Sequence, residues 1–283
     1  MTQPVAPYLR PGDLAQALAA LSGGTLRIVA GCTDVLAATE AQTLPHGTLD
    51  LTGVSALRGI TQTPDGWRIG AVTPWSDIAR ATLPPAFASL QSAALQIGAV
   101  QVQNAGTIGG KLCNASPAAD GVPPLLTLDA AVELASHRGS RTLPLHHFLL
   151  GPRQTARAPD EILTAVLIPS ASTTGHSAFL KLGSRAALVI SIAMVAARLT
   201  LTPHGKVTGA AIAIGACGPT AQRLPLLEAW LTQHHRLPDH LAPFLRLAPI
   251  TDIRADAAYR LEAAAILIRR TLITLLERRH EPA

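Results

Sequence analysis

The chain has 283 residues, a formal net charge of +5, 48% apolar residues and only 3% aromatic ones. That length suits two domains, each able to bury a core of Ala, Leu, Val and Ile without disulfides or metal clips. No apolar run reaches the roughly 18 residues that span a bilayer, and "MTQPVAPYLRPGD" lacks a basic region followed by an apolar one, so the sequence reads as soluble and cytoplasmic.

The 3 cysteines, Cys32, Cys113 and Cys217, lie far apart without C-x-x-C spacing, which speaks against a disulfide framework or a zinc site. The basic residues cluster toward the end, at Arg254, Arg260, Arg269, Arg270, Arg278 and Arg279. They read as a solvated helix face, because nucleic-acid binding wants interleaved aromatics and only Tyr259 is there.

In chain order, "PGDLAQALAALSGG" predicts a helix capped by Asp13 and stopped at Gly23 and Gly24. "TLRIVA" is a strand that delivers the chain into the glycine-containing turn "GCTDV". Strands are expected around Thr48 to Leu51 and Leu57 to Ile60, the latter forming a hairpin through "TPDG" with Trp67 to Ala71. "TPWSDIARA", with Thr73 as cap, and "PPAFASLQSAALQIG" predict two helices.

The window "NAGTIGGKLCNASPAAD", Asn104 to Asp120, shows neither helical nor strand periodicity and reads as a loop. Further strands are expected in "AAVELAS", "RTLPL" and "EILTAVLIP", and "SASTTG" at 170–175 reads as a linker. Beyond it, "ALVISIAMVAARLTL" and "KVTGAAIAIGAC" form a strand pair, followed by the helices "QRLPLLEAWLTQHH" and "ADAAYRLEAAAILIRRTLITLLERR". The fold class is therefore α+β in both parts.

The glycine window resembles a P-loop, but Ala105 stands at the first glycine position and Leu112 at the hydroxyl position. Nor does "AGTIGG" give G-x-G-x-x-G at the head of a helix. What remains is a pair of turns, "AGCTDV" and "GTIGGKL": either ordinary structural turns, or two turns whose N–H groups converge on one pyrophosphate.

The segments "VAGCTDVL", "TPWSDIA", "GTIGGKLCNASPAADGVPPLLTLDA", "RTLPLHHF", "DEILTAVLIP", "FLKLGSRAALVISIA" and "DIRADAAYRLEAAAILIRRTL" together resemble the FAD-binding (medium) subunit of the molybdenum hydroxylases, the xanthine dehydrogenase and carbon monoxide dehydrogenase family. The resemblance implies a two-lobed FAD-binding fold of the vanillyl-alcohol oxidase (PCMH) type over residues 1–172, with lobes of about 1–55 and 56–172. A smaller α+β domain of the carbon monoxide dehydrogenase flavoprotein type would follow over 176–283.

By this resemblance Ile28, Val29, Ala30, Gly31, Cys32, Thr33, Asp34 and Val35 form the first FAD turn, with N–H groups on the pyrophosphate. Thr107, Ile108, Gly109, Gly110 and Lys111 form the second, serving the same anion. Asp120 matches a carboxylate near the adenosine half, Leu163 and Lys181 match positions on the flavin side, and Ile97 and Ser116 join them.

Two departures stand out: the family usually has Gly at Cys32 and Asn at Lys111. Cys32 is then expected at negative φ, or in a displaced turn, and Lys111 is expected to add positive charge near the phosphates.

The resemblance further implies a heteromeric complex. A large subunit with molybdenum cofactor hydroxylates the substrate, a small subunit carries two 2Fe–2S clusters, and FAD on this chain reduces NAD+, a quinone or oxygen. The assembly is a heterotrimer or a dimer of heterotrimers, and this chain is expected to hold no cluster or metal and to bind no nucleic acid. The competing readings are a self-contained flavin oxidase and an FAD-free assembly protein of the same fold.

Overall fold

The computed structural model describes residues 6–23, 26–40, 44 and 46–277. Gly24, Arg278 and Arg279, which figure in the sequence expectations, lie outside the described residues. The first lobe is a parallel sheet of β1 (Tyr8–Leu9), β3 (Thr48–Asp50) and β2 (Arg27–Val29), in the order β1-β3-β2. Helix α1 (Leu14–Ser22) covers it, and Asp13 caps α1 as expected, its carboxylate accepting from Gln16 N at 2.8 Å. Ala17, Leu21, Leu49 and Leu51 close this small core.

The second lobe is antiparallel. β4 (Ile60–Thr63), β5 (Gly66–Gly70), β6 (Ala131–Ser136), β7 (Gly139–Pro144) and β10 (Ile162–Pro169) form a sheet in the order β4-β5-β10-β6-β7. Between β5 and β6 run α2 (Trp75–Arg80), α3 (Ala88–Leu95), α4 (Val100–Ala105), α5 (Ile108–Asn114) and α6 (Val122–Thr127). The short α7 (Leu145–Phe148) leads to the two-stranded β8 (Leu149–Gly151) and β9 (Gln154–Thr155). Trp75, Phe87, Ile108, Leu112, Val132 and Val166 share one apolar core that binds these helices to the sheet.

The remaining part is a sheet in the order β11 (His176–Leu182), β12 (Ala193–Leu201), β13 (Val207–Gly215), β14 (Gln222–Arg223). On one face lie α8 (Pro225–His234) and α9 (Ala257–Glu277), sealed by Val195, Ile212, Leu227, Ile268 and Leu272. On the other, Phe179, Met194 and Ala196 meet Ala93 of α3. Burial on both faces explains why β12 reads as a continuous apolar run rather than an alternating one.

Four local expectations are corrected. Pairing with β5 starts at Ile60, not Leu57, because Leu57 is buried in the first lobe's core and its carbonyl accepts from Val72 N at 2.9 Å. Thr73 does not cap α2: its hydroxyl accepts from Gly59 N at 2.9 Å and Pro74 holds the cap position. The run 186–192 is not strand, since the carbonyls of Val189 and Ile192 accept from Lys181 and Arg260 side chains. Arg260 is 1% exposed rather than solvated, and its guanidinium donates to Asp252 Oδ1 at 2.7 Å.

Candidate cofactor cleft

β2 pairs in parallel with β3, Val29 opposite Asp50, and releases the turn Ala30 to Val35 at its carboxyl end. Crevices outside the carboxyl ends of parallel strands are where ligands are met. Gly31 is required there: an added Cβ would sit 1.7 Å from the Ala105 carbonyl oxygen, so only glycine lets this turn touch the end of α4.

Cys32 has φ +55°. The expectation of a negative φ is therefore wrong: the turn keeps a left-handed geometry that suits glycine, with a side chain in place, at a cost of roughly 1 kcal/mol. Its carbonyl accepts from Leu36 N at 2.9 Å, which closes the turn. Partial burial, and then the nearby Asp50 carboxylate, push the Cys32 thiol above its ordinary pKa, so at neutral pH it is a thiol and not a thiolate.

The N–H groups of Gly31, Cys32, Thr33 and Asp34 donate to no acceptor among the described residues, and all four residues line one cleft. Successive unbonded N–H groups beside a left-handed residue form the concavity that holds an anion.

The second segment differs from expectation. Asn104 to Asp120 is not a bare loop: it contains α5, with Thr107 as cap, its hydroxyl accepting from Gly110 N at 3.1 Å. Ile108 N donates to Thr73 O at 3.1 Å, Gly109 N to Ala71 O at 2.8 Å and Lys111 N to Thr107 O at 3.0 Å. These N–H groups are thus held inside the protein. The glycines allow packing instead: a Cβ on Gly109 would lie 2.7 Å from both Ala71 Cβ and Ala71 O.

Thr107, Gly109, Gly110 and Lys111 line the same cleft as the first turn, whereas Ile108 is fully buried in the core beside it. Lys111 Nζ reaches Asp34 Oδ2 at 3.2 Å and ties the two segments together. Its charge is matched by a carboxylate, so it adds no net positive charge near the turn.

Ile28, Val29, Ala30, Val35, Ile97 and Leu163 also line the cleft. Three expected residues do not. Ser116 accepts from Ala118 N at 3.3 Å within its own turn. Asp120 and Lys181 meet each other at 2.8 Å, with Ser191 Oγ on the second carboxylate oxygen. Asp120 is only 8% exposed, and a buried carboxylate without such partners would be strongly destabilising.

The cleft has walls that the sequence reading passed over: Trp75, Cys113, Asn114, Arg153 and Arg157. Arg153 has φ +60°, and its guanidinium bonds the Asn114 side chain. Arg157 donates to Glu161 O at 2.7 Å. The only signal was two arginines in the strand connection "GPRQTARAP".

The cleft volume is about 410 Å³, within the range of roughly 300–1,000 Å³ usual for small-molecule sites. Apolar walls at Ile97 and Leu163 suit a flat ring, and the unbonded N–H groups suit a phosphate. The residues present therefore fit a dinucleotide.

The family pattern described as "FAD binding domain in molybdopterin dehydrogenase" matches residues 2–171. The chain belongs to this family. A second pattern, "CO dehydrogenase flavoprotein C-terminal domain", matches residues 178–275 of this flavoprotein subunit. It is 33% identical to the xanthine dehydrogenase FAD-binding subunit of Escherichia coli O157:H7, over 77% of this chain and 76% of that one. It is 31% identical to the nicotine 6-hydroxylase medium subunit of Paenarthrobacter nicotinovorans, over 96% and 98%.

Among solved structures it superposes on a chain of the reconstituted CO dehydrogenase from Oligotropha carboxidovorans with a TM-score of 0.88 and 27% identity, covering 98% and 100%. The α+β architecture, an FAD-binding domain followed by a smaller C-terminal one, is thus shared with these oxidoreductase subunits. No helix among the described residues is long and apolar enough to cross a membrane.

Proposed function

We propose that this chain holds FAD in the cleft between its two lobes and relays electrons from a partner's iron–sulfur clusters to an external acceptor, NAD+, a quinone or oxygen. The observation that carries the proposal is the run of N–H groups from Gly31 to Asp34, left without acceptors on the cleft wall. When bound, FAD supplies the redox chemistry, and the protein supplies position and electrostatics.

In this reading Gly31, Cys32, Thr33 and Asp34 hold the pyrophosphate through backbone N–H groups. Ile97 and Leu163 exclude water from the ring. Thr107, Gly109 and Gly110 form the opposing wall, and the pair Lys111–Asp34 fixes its distance from the turn. Asp120 and Lys181 bridge the cleft domain, residues 1–172, to the domain at 176–283. The partners are a large subunit with molybdenum cofactor and a small subunit with two 2Fe–2S clusters, as a heterotrimer or a dimer of heterotrimers.

The test is the optical spectrum of the purified full chain, followed by analysis of the flavin released on denaturation. FAD at close to one per chain supports the proposal. A colourless protein that added FAD does not reconstitute would leave the FAD-free assembly reading. Substrate turnover by the chain alone would establish the self-contained oxidase instead.

A further inference from the structure

Trp75 lines the cofactor cleft yet is only 1% exposed, and its indole Nε1 has no hydrogen-bond partner among the described residues. An unmet buried donor costs free energy, so where one persists beside a binding cleft it points to a partner that arrives with the ligand.

The ring is fixed at both ends. Its benzo edge lies against the head of α6, where a Cβ added to Gly121 would sit 2.3 Å from Trp75 Cη2. Its pyrrole edge lies against Gly106, whose added Cβ would be 3.6 Å from Trp75 Cδ1 and whose carbonyl accepts from Trp75 N at 3.1 Å. The indole is thereby held in one orientation.

The same point beside Gly106 lies 3.3 Å from Thr33 Oγ1. Thr33 belongs to the turn with unbonded N–H groups, is half-buried on the cleft wall, and its hydroxyl neither donates nor accepts among the described residues. Two unpartnered polar groups therefore stand beside one glycine, which keeps the space between them open. One is a donor shielded from solvent, and the other is a hydroxyl, which accepts and donates at once.

We propose that Trp75 is a positioning residue for the bound dinucleotide: its indole N–H donates to the Thr33 hydroxyl, which donates in turn to a phosphate oxygen. The inference rests on the reading that the cleft holds FAD. Each hydrogen bond in such a chain polarises the next, so the indole both aims the hydroxyl and strengthens its hold on the anion. The N–H, closed off from the ligand itself, acts on it through Thr33.

The test titrates the flavin-free full chain with FAD and with riboflavin, which lacks phosphate, while NMR follows the isotope-labelled indole N–H signals. The chain has 3 tryptophans, so Trp67→Phe and Trp230→Phe assign the Trp75 signal without altering it. With FAD that signal is expected to move downfield in the parent and in Thr33→Ser, and to stay in place in Thr33→Val. Trp75→Phe and Thr33→Val are each expected to weaken FAD binding about tenfold, the double variant no more than Thr33→Val alone, with riboflavin affinity unchanged. A signal that moves equally in Thr33→Val, additive losses in the double variant, or an equal loss of riboflavin affinity overturns the inference. The signal is read with Trp75 in place, so the inference stays testable if Trp75→Phe fails to fold. A parent that binds no FAD overturns the cofactor reading itself, whereas FAD binding without these effects overturns the role of Trp75 alone.

Discussion

Lys111 Nζ and Asp34 Oδ2 meet at 3.2 Å across the cleft that both residues line. The charge of the lysine is directed at a neighbouring carboxylate rather than into open space. A phosphate held by the turn would therefore feel a matched pair, and removing either member unbalances it in opposite directions.

Lys111→Met leaves Asp34 negative beside the phosphate turn, and FAD binding is expected to weaken by about tenfold. Asp34→Asn removes that charge and frees Lys111, and binding is expected to tighten about threefold. Equilibrium titration of the apoprotein with FAD measures both. A shift of the same sign in the two variants would show that the pair does not face the anion.

Cys32 in the left-handed region carries strain that glycine relieves, against glycine's greater entropy loss on folding. Cys32→Gly is expected to be neutral to about 1 kcal/mol stabilising. Cys32→Val, β-branched at positive φ, is expected to cost about 1–2 kcal/mol. Urea unfolding of the three proteins should rank them Gly, Cys, Val, and a stable Val variant would refute the geometry of the turn.

Gly31→Ala puts a Cβ 1.7 Å from a backbone oxygen, whereas Gly110→Ala meets only the Thr107 hydroxyl at 2.9 Å. The first is expected to cost about 1–3 kcal/mol and to displace the turn. It should lose most bound FAD, while the second retains it. Flavin content per chain after desalting distinguishes the two.

The thiols report on the cleft. Desolvation pushes the thiols of Cys113 and Cys217 both up to about 11, but Cys217 is buried while Cys113 reaches the surface on the cleft wall. Maleimide is expected to label Cys113 slowly, as a raised thiol reacts, but faster in apoprotein than with FAD present, and to label Cys217 only on unfolding. Equal labelling of Cys113 with and without FAD would place the ligand elsewhere.

Acid should destabilise the second lobe. The hydrogen bond from Arg141 holds the Glu161 carboxyl below the usual range, although burial acts against it. A carboxyl depressed on folding adds stability above its unfolded pKa of about 4.3, and that stability is lost as the pH falls through the folded value. Thermal melts between pH 7 and about pH 3 should show a shallower acid slope for Glu161→Gln.

The sequence made the local elements legible where one residue controls one contact. Asp13 at the start of α1 is such a case. It concealed α5, whose Gly-Gly-Lys run has poor helix propensity. That helix forms because Thr107 caps it and Gly109 N–H bonds Ala71 in a distant strand end. Tertiary contacts override propensity there.

Within the candidate cleft, the first turn and Ile97 and Leu163 were legible through the family resemblance. Lys111's partner was not, because Asp34 is 77 residues away in sequence. Arg153 and Arg157 were missed for the same reason: only the folded strand connection brings them beside Asn114 and Cys113.

Arg260 donates to the carbonyl of Ile192, and the preceding residue, Ser191, holds the Asp120 carboxylate. The last helix is in this way fastened, through a single peptide unit, to the seam between the two domains. Loosening that helix would register first as play in the seam, so the small domain serves as a brace for the larger one.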